Sequence, residues 1–189
     1  MVRLLLVSDL MGFKHYTGLI CYLYEKLHAD STILLGNTIS PSIVRQLVEN
    51  CNMRVYGVLG RYDNASLASI LIEVNGLLEC KSIMVKDVSI YGYGLSGCEP
   101  RRVEKIDILV SSIPGRKYTC CTKCSDMVDR IIEYLKPRLI ITGGCSRSCQ
   151  SGNTLSPGRA SNGFIGLLNY ENGEYVFNEI DLLRVVETT

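Results

Sequence analysis

Five short apolar runs, each stopping at a polar turn and the first three separated by helix-length segments, constrain this chain most tightly. Val2 to Val7 is an almost continuous hydrophobic run that breaks at Ser8-Asp9. Ser31 to Leu35 ends at Gly36-Asn37, and Arg54 to Leu59 is closed by Gly60-Arg61-Tyr62-Asp63-Asn64. Further on, Asp107 to Ser112 runs into Ile113-Pro114-Gly115, and Arg138 to Thr142 opens into Gly143-Gly144-Cys145-Ser146. Runs this short without alternation mark strands buried on both faces of a helix-covered sheet. Between the first three lie helical segments over Thr17 to Ala29 and Pro41 to about Asn50, the second with Ser40 as cap and Pro41 at its first position. The order β-α-β-α-β requires a parallel sheet with right-handed crossovers. Open α/β sheets place ligands at the carboxyl ends of their strands, which is where Asp9 and the other polar turns stand.

The remainder reads less regularly. Ala65 to Val74 is helical, and Ser82–Val85 with Val88–Tyr93 form a hairpin turning at Lys86-Asp87. A short basic helix, including Arg101, Arg102 and Lys105, leads into the Asp107 strand. Ser125 to Leu135 is the strongest helix, capped by Ser125 or Asp126, with Met127, Val128, Ile131, Ile132 and Leu135 as its apolar stripe. A polar, cysteine-bearing loop, Arg116 to Cys124, precedes it. The tail reads as antiparallel strands over Thr154–Gly158, Phe164–Tyr170 and Glu174–Leu183, the last two joined by a turn at Glu171-Asn172-Gly173. No repeat, linker or low-complexity segment interrupts the 189 residues, so a single domain over 1–189 is expected.

Charge excludes some functions. With 20 basic and 19 acidic residues and no long like-charge block, the chain lacks the basic stripe of a phosphate-backbone binder, so no nucleic-acid partner is expected. No apolar run approaches the ~20 residues of a membrane span. The first strand is too short for a signal-peptide core and runs into an acidic residue, which makes a cytoplasmic location the expectation.

Asp9, Asn37, Gly60 to Asp63, Ser111-Ser112 and Gly143 to Ser146 follow one another in an order and spacing that resemble the calcineurin-like metallophosphoesterases across almost the whole chain. The resemblance implies an α/β fold, a metallophosphoesterase-like α/β/β/α sandwich of two mixed sheets flanked by helices. Members of the family build a two-metal phosphoesterase site from strand-end motifs of the form D-x-H, G-D, G-N-H-D, a late His before Pro, and G-H-x-H. Two cations about 3.5–4 Å apart clamp the phosphate and generate hydroxide there. Carried over by position, Asp9 stands where the first ligand belongs, but the His expected two residues on is Met11. The bridging Asp is Asn37, Arg61 replaces the ligand Asn, and Tyr62 replaces the catalytic His, while Asp63, the orienting partner of that His, survives. The late His is Ser112, and Gly143-Gly144-Cys145-Ser146 carries neither imidazole. The closing turn persists as Ser156-Pro157-Gly158.

Asp9 and, weakly, Asn37 are the metal ligands the resemblance leaves. The expectation is therefore a pseudo-phosphoesterase acting as a binding or scaffold module, with a protein partner possible. A metal-dependent phosphoesterase with a rebuilt site is the enzymatic alternative. Arg61 and Arg147 suit a planar anion; the other reading is an ionic plug in which they pair with Asp9 and Asp63. His15 and His28 are expected at the surface. Nine cysteines open a third possibility. Cys121, Cys124, Cys145 and Cys149, with Cys120 beside them, lie in two loops that the resembling fold brings to one rim. Their spacing suits zinc or an iron–sulfur cluster, and disulfides or reduced thiols satisfy it equally. Cys21, Cys51, Cys80 and Cys98 are expected as scattered core or surface residues.

Overall fold

The computed structural model describes residues 1–95, 105–122 and 124–187. Strands β1 (Val2–Val7), β2 (Ser31–Leu35) and β3 (Val55–Val58) alternate with helices α1 (Thr17–Lys26) and α2 (Pro41–Arg45), and α3 (Ala65–Glu73) follows. Next come β4 (Ser82–Val85), β5 (Val88–Tyr93), β6 (Ile108–Ser111), α4 (Asp126–Leu135) and β7 (Leu139–Thr142). The chain ends with β8 (Ser148–Ser151), β9 (Thr154–Pro157), β10 (Phe164–Glu171), β11 (Glu174–Asp181) and α5 (Leu182–Glu187). Among the described residues these strands make two sheets, ordered β11-β10-β1-β2-β3 and β4-β5-β6-β7-β9-β8. Both are mixed: β1, β2 and β3 run parallel while β10 joins β1 antiparallel. In the other sheet β5, β6, β7 and β9 are parallel, with β4 and β8 antiparallel at the edges.

The unbroken apolar runs have a direct structural cause. Successive side chains of a strand point to opposite faces. Leu5 and Val7 of β1 pack toward the helices α1, α2 and α3, whereas Val2, Leu4 and Leu6 enter the layer between the sheets. The same division holds in β6 and β7: Ile108, Val110, Leu139 and Ile141 face the first sheet, and Leu109 and Ile140 face α4. Three apolar layers thus separate helices, sheet, sheet and helix, giving the expected α/β/β/α order. No helix among the described residues is long and apolar enough to cross a membrane.

Several local readings are corrected. Met127 is half exposed and stands off the stripe of α4, while Asp129 is buried and accepts the Lys117 N–H at 3.1 Å. Ser125 and Ser40 occupy the N-cap positions of α4 and α2 without side-chain cap bonds. Gly143 to Cys149 is only partly loop, because Ser148–Ser151 pairs with β9. The final strand stops at Asp181, where Asp181 Oδ1 accepts the Leu183 N–H at 3.0 Å and α5 begins. Cys21 and Cys51 are no scattered pair: they form a disulfide between α1 and the residue that caps the π-helical turn Gln46–Asn50 extending α2. Cys80 is disulfide-bonded as well. The basic helix expected around Arg101 and Arg102, and Cys98, lie outside the described residues.

Candidate functional site

The polar turns at the ends of β1, β2, β3, β6 and β7 converge on one cleft of about 1130 Å³. Its wall includes Asp9, Asn37, Arg61, Tyr62, Ser112 and Gly144, together with Met11, Phe13, Leu95, Cys124, Arg159 and Asn162. Glycines permit this convergence. A Cβ on Gly36, whose φ is +88°, would lie 2.7 Å from Ser112 Cβ and 2.9 Å from Gly60 Cα, so the turns of β2, β3 and β6 meet at backbone distance.

Asp9 is buried, with φ of 52°. The turn holding it is fastened on two sides: its N–H donates to Gly36 O at 3.0 Å, and the Ala160 N–H donates to Ser8 O at 2.7 Å. One carboxylate oxygen accepts the Asn37 side-chain N–H at 2.7 Å. The other accepts the Ser8 hydroxyl at 2.6 Å and the Gly144 N–H at 3.1 Å. The Asn37 amide oxygen in turn accepts the Tyr62 N–H at 3.0 Å.

Asp63 organises the layer beneath. Its two oxygens accept the N–H groups of Asn37, Ile39 and Gly60, each at 2.7 Å. Asn37 and Ile39 both have positive φ, 55° and 67°, a region that a β-branched residue such as isoleucine rarely occupies. The carboxylate holds this turn in its left-handed course. Burial pushes the Asp63 carboxyl above its ordinary range, against the opposing pull of these N–H donors.

The ionic plug is not formed. Arg61 is exposed and, among the described residues, neither it nor Arg147 makes an ion pair. Asp9 and Asp63 instead accept hydrogen bonds from neighbouring hydroxyl, amide and backbone N–H donors. Arg147 is exposed and does not line the cleft. The residue that sequence reasoning missed is Arg159, which does line it and whose buried Nε has no hydrogen-bond partner among the described residues. Its position directly after the Ser156-Pro157-Gly158 turn was the available signal. Ser112 Oγ is likewise buried without a partner on the cleft wall. His15 is exposed between the rings of Phe13 and Tyr16, and His28 is exposed at the end of α1.

The cysteine set also differs from the expected one. Cys120 is bonded to Cys149 and Cys121 to Cys145, while Cys124 is a free thiol on the cleft wall. The disulfides tie the loop after β6 to Cys145 in the loop after β7 and to Cys149 in β8, so the rim convergence is present but Cys124 is outside the bonded group.

No protein-family model and no curated protein matches the sequence. Solved structures do. The protein TT1561 of Thermus thermophilus is similar with a TM-score of 0.73 at 16% identity, over 94% of this chain and 98% of that one. A dimetal phosphatase from Danio rerio is similar with a TM-score of 0.67 at 10% identity, over 94% and 95% of the two chains. An archaeal phosphodiesterase gives 0.64 at 14% identity, over 95% of this chain and all of the other. The chain has the metallophosphoesterase fold.

Proposed function

We propose that this protein is a metallophosphoesterase-fold binding module whose cleft holds an anionic ligand in place of the two cations. The observation that carries the reading is the donor set of the cleft, in which Asp9 and Asn37 hydrogen-bond to each other at 2.7 Å and Ser8, Gly144 and Tyr62 also donate to their oxygens. A dinuclear site needs several anionic or imidazole donors converging on two cations. Here one carboxylate and one amide remain, and Met11, Arg61, Tyr62, Ser112, Gly144 and Ser146 stand at the other positions. Arg61 and Arg159 supply fixed positive charge on the same cleft wall. This donor set does not fit a two-metal centre.

The test is hydrolysis of a bis-aryl phosphate with added manganese or nickel, alongside elemental analysis of protein purified without added metal. The expected result is turnover no greater than that of the metal alone, identical in wild type and Asp9→Ala. Metal-dependent turnover that disappears in Asp9→Ala would establish the rebuilt phosphoesterase instead.

Anion binding has its own check. Guanidinium–anion hydrogen bonds contribute about 1.5–3 kcal/mol each, so Arg159→Ala should weaken phenyl phosphate binding by roughly 10–150-fold in calorimetry. Arg147→Ala should leave it unchanged, because Arg147 lies off the cleft. Equal effects from the two substitutions would mean that Arg159 does not hold the anion.

A further inference from the structure

We propose that Cys120, Cys121, Cys145 and Cys149, once reduced, form a tetrathiolate site for a soft divalent metal ion such as zinc, and that the two disulfides are its oxidised, metal-free state. The site is separate from the strand-end carboxylate and amide, and it stands whether or not the cleft binds an anion.

The geometry comes from the chain leaving adjacent parallel strands β6 and β7: Cys120, Cys121 and Cys145 lie in loops and Cys149 in β8. Each disulfide joins Cα atoms 5.7 Å apart. The sulfurs of Cys120, Cys145 and Cys149 all lie within 4.8 Å of one another, although Cys145 is bonded to neither of the other two. The fourth sulfur, of Cys121, is one covalent bond from Cys145. Zinc–thiolate bonds of ≈ 2.3 Å in a tetrahedron set sulfurs roughly 3.8 Å apart.

Loop fixation alone does not account for the pair. Cys120–Cys149 already closes the chain between the first loop and β8, with a sequence separation of 29, and Cys121–Cys145 lies nested inside it. The nested link has little further loop-closure entropy to remove. What it adds is a fourth sulfur, bonded to Cys145, beside the group of three formed by Cys120, Cys145 and Cys149. Burial is suitable too: Cys145 is 1% exposed, and the other three are half-buried, giving a sheltered site with an entry side. Beside the first loop Arg116 pairs with Asp126 and Lys117 with Glu133, each at 2.6 Å, while Arg147, between Cys145 and Cys149, is exposed and makes no ion pair among the described residues. Thr119 braces the first loop, its hydroxyl donating to Cys121 O at 2.6 Å and accepting the Cys121 N–H at 3.0 Å.

The chemistry balances. A phosphine reductant takes the oxygen of one water per disulfide, becomes the phosphine oxide, and leaves two thiols. Four thiols binding one divalent cation release four protons and leave a site of charge −2.

The experiment uses the full chain, reduced with a phosphine, freed of reductant under anaerobic conditions and titrated with cobalt(II) as a spectroscopic stand-in for zinc. One cobalt per chain with intense sulfur-to-metal charge transfer and tetrahedral d–d bands is expected, displaced by zinc, and absent from the oxidised protein. Cys145→Ser should weaken binding by more than the ~10–100-fold that loss of an outer-shell partner produces, and Cys124→Ser should bind as wild type does. Absence of the bands, or equal loss in Cys124→Ser, overturns the assignment. If reduction unfolds the chain, zinc must restore its circular dichroism; failure to restore it overturns the proposal as well.

Discussion

Asp63→Ala is expected to lower the unfolding free energy by about 3–5 kcal/mol, measured by urea denaturation. The carboxylate accepts three backbone N–H groups at 2.7 Å, from Asn37, Ile39 and Gly60, and so ties the turn after β2 to the turn after β3. Each bond to a charged acceptor contributes roughly 1.5–3 kcal/mol, and bonds sharing one acceptor are not additive. Truncation strands these donors and releases Asn37 and Ile39 from their left-handed conformations. Because Asn37 also holds Asp9, the damage extends to the cleft. A loss below about 1 kcal/mol would show that the turn keeps its shape without the carboxylate.

Removing the Cys21–Cys51 disulfide by paired serine substitution should destabilise the protein by about 3–4 kcal/mol. The bond closes a loop with a sequence separation of 30 and links α1 to the residue that caps the π-helical turn after α2, outside the cleft. Its effect belongs chiefly to the unfolded chain, whose freedom it restricts. For a chain of this size the melting temperature should fall by roughly 6–16 °C, with phenyl phosphate binding unchanged below the transition. Altered binding at low temperature would mean that α1 and α2 are held in place by this link in the folded state too.

The fold was legible because its strands are buried on both sides. Val2–Val7, Ser31–Leu35 and Leu139–Thr142 carry apolar residues to two layers at once, and periodicity cannot hide such runs. Elements that depend on late tertiary contacts were not legible. Ser148–Ser151 is polar and becomes a strand only by pairing with β9. The helical turn of α5 begins where Leu182 buries itself against the helical layer of the first sheet.

The site divided along the same line. The strand-end positions of Asp9, Asn37, Arg61, Tyr62 and Ser112 follow from the strand pattern, and they do share one cleft. Pairing of Asp9 with Arg61 follows from charge alone, whereas in the structure Asp9 accepts from a neighbouring hydroxyl, an amide and a backbone N–H and Arg61 stays exposed. Arg159 escaped notice because its place in the cleft depends on a return of the chain more than 140 residues after Asp9, sealed by the Ser161 N–H donating to Asp9 O at 3.2 Å.

Cys124 gives the cleft an unplanned utility. It is the free thiol among the described residues, it lines the same wall as Arg159, and the cysteines around it are held as disulfides. Under non-reducing conditions a maleimide or a nitroxide will therefore attach at the cleft edge in preference to the oxidised cysteines, without mutagenesis. Fluorescence or electron-spin line shape from that tag becomes an occupancy gauge for screening ligands of the cleft.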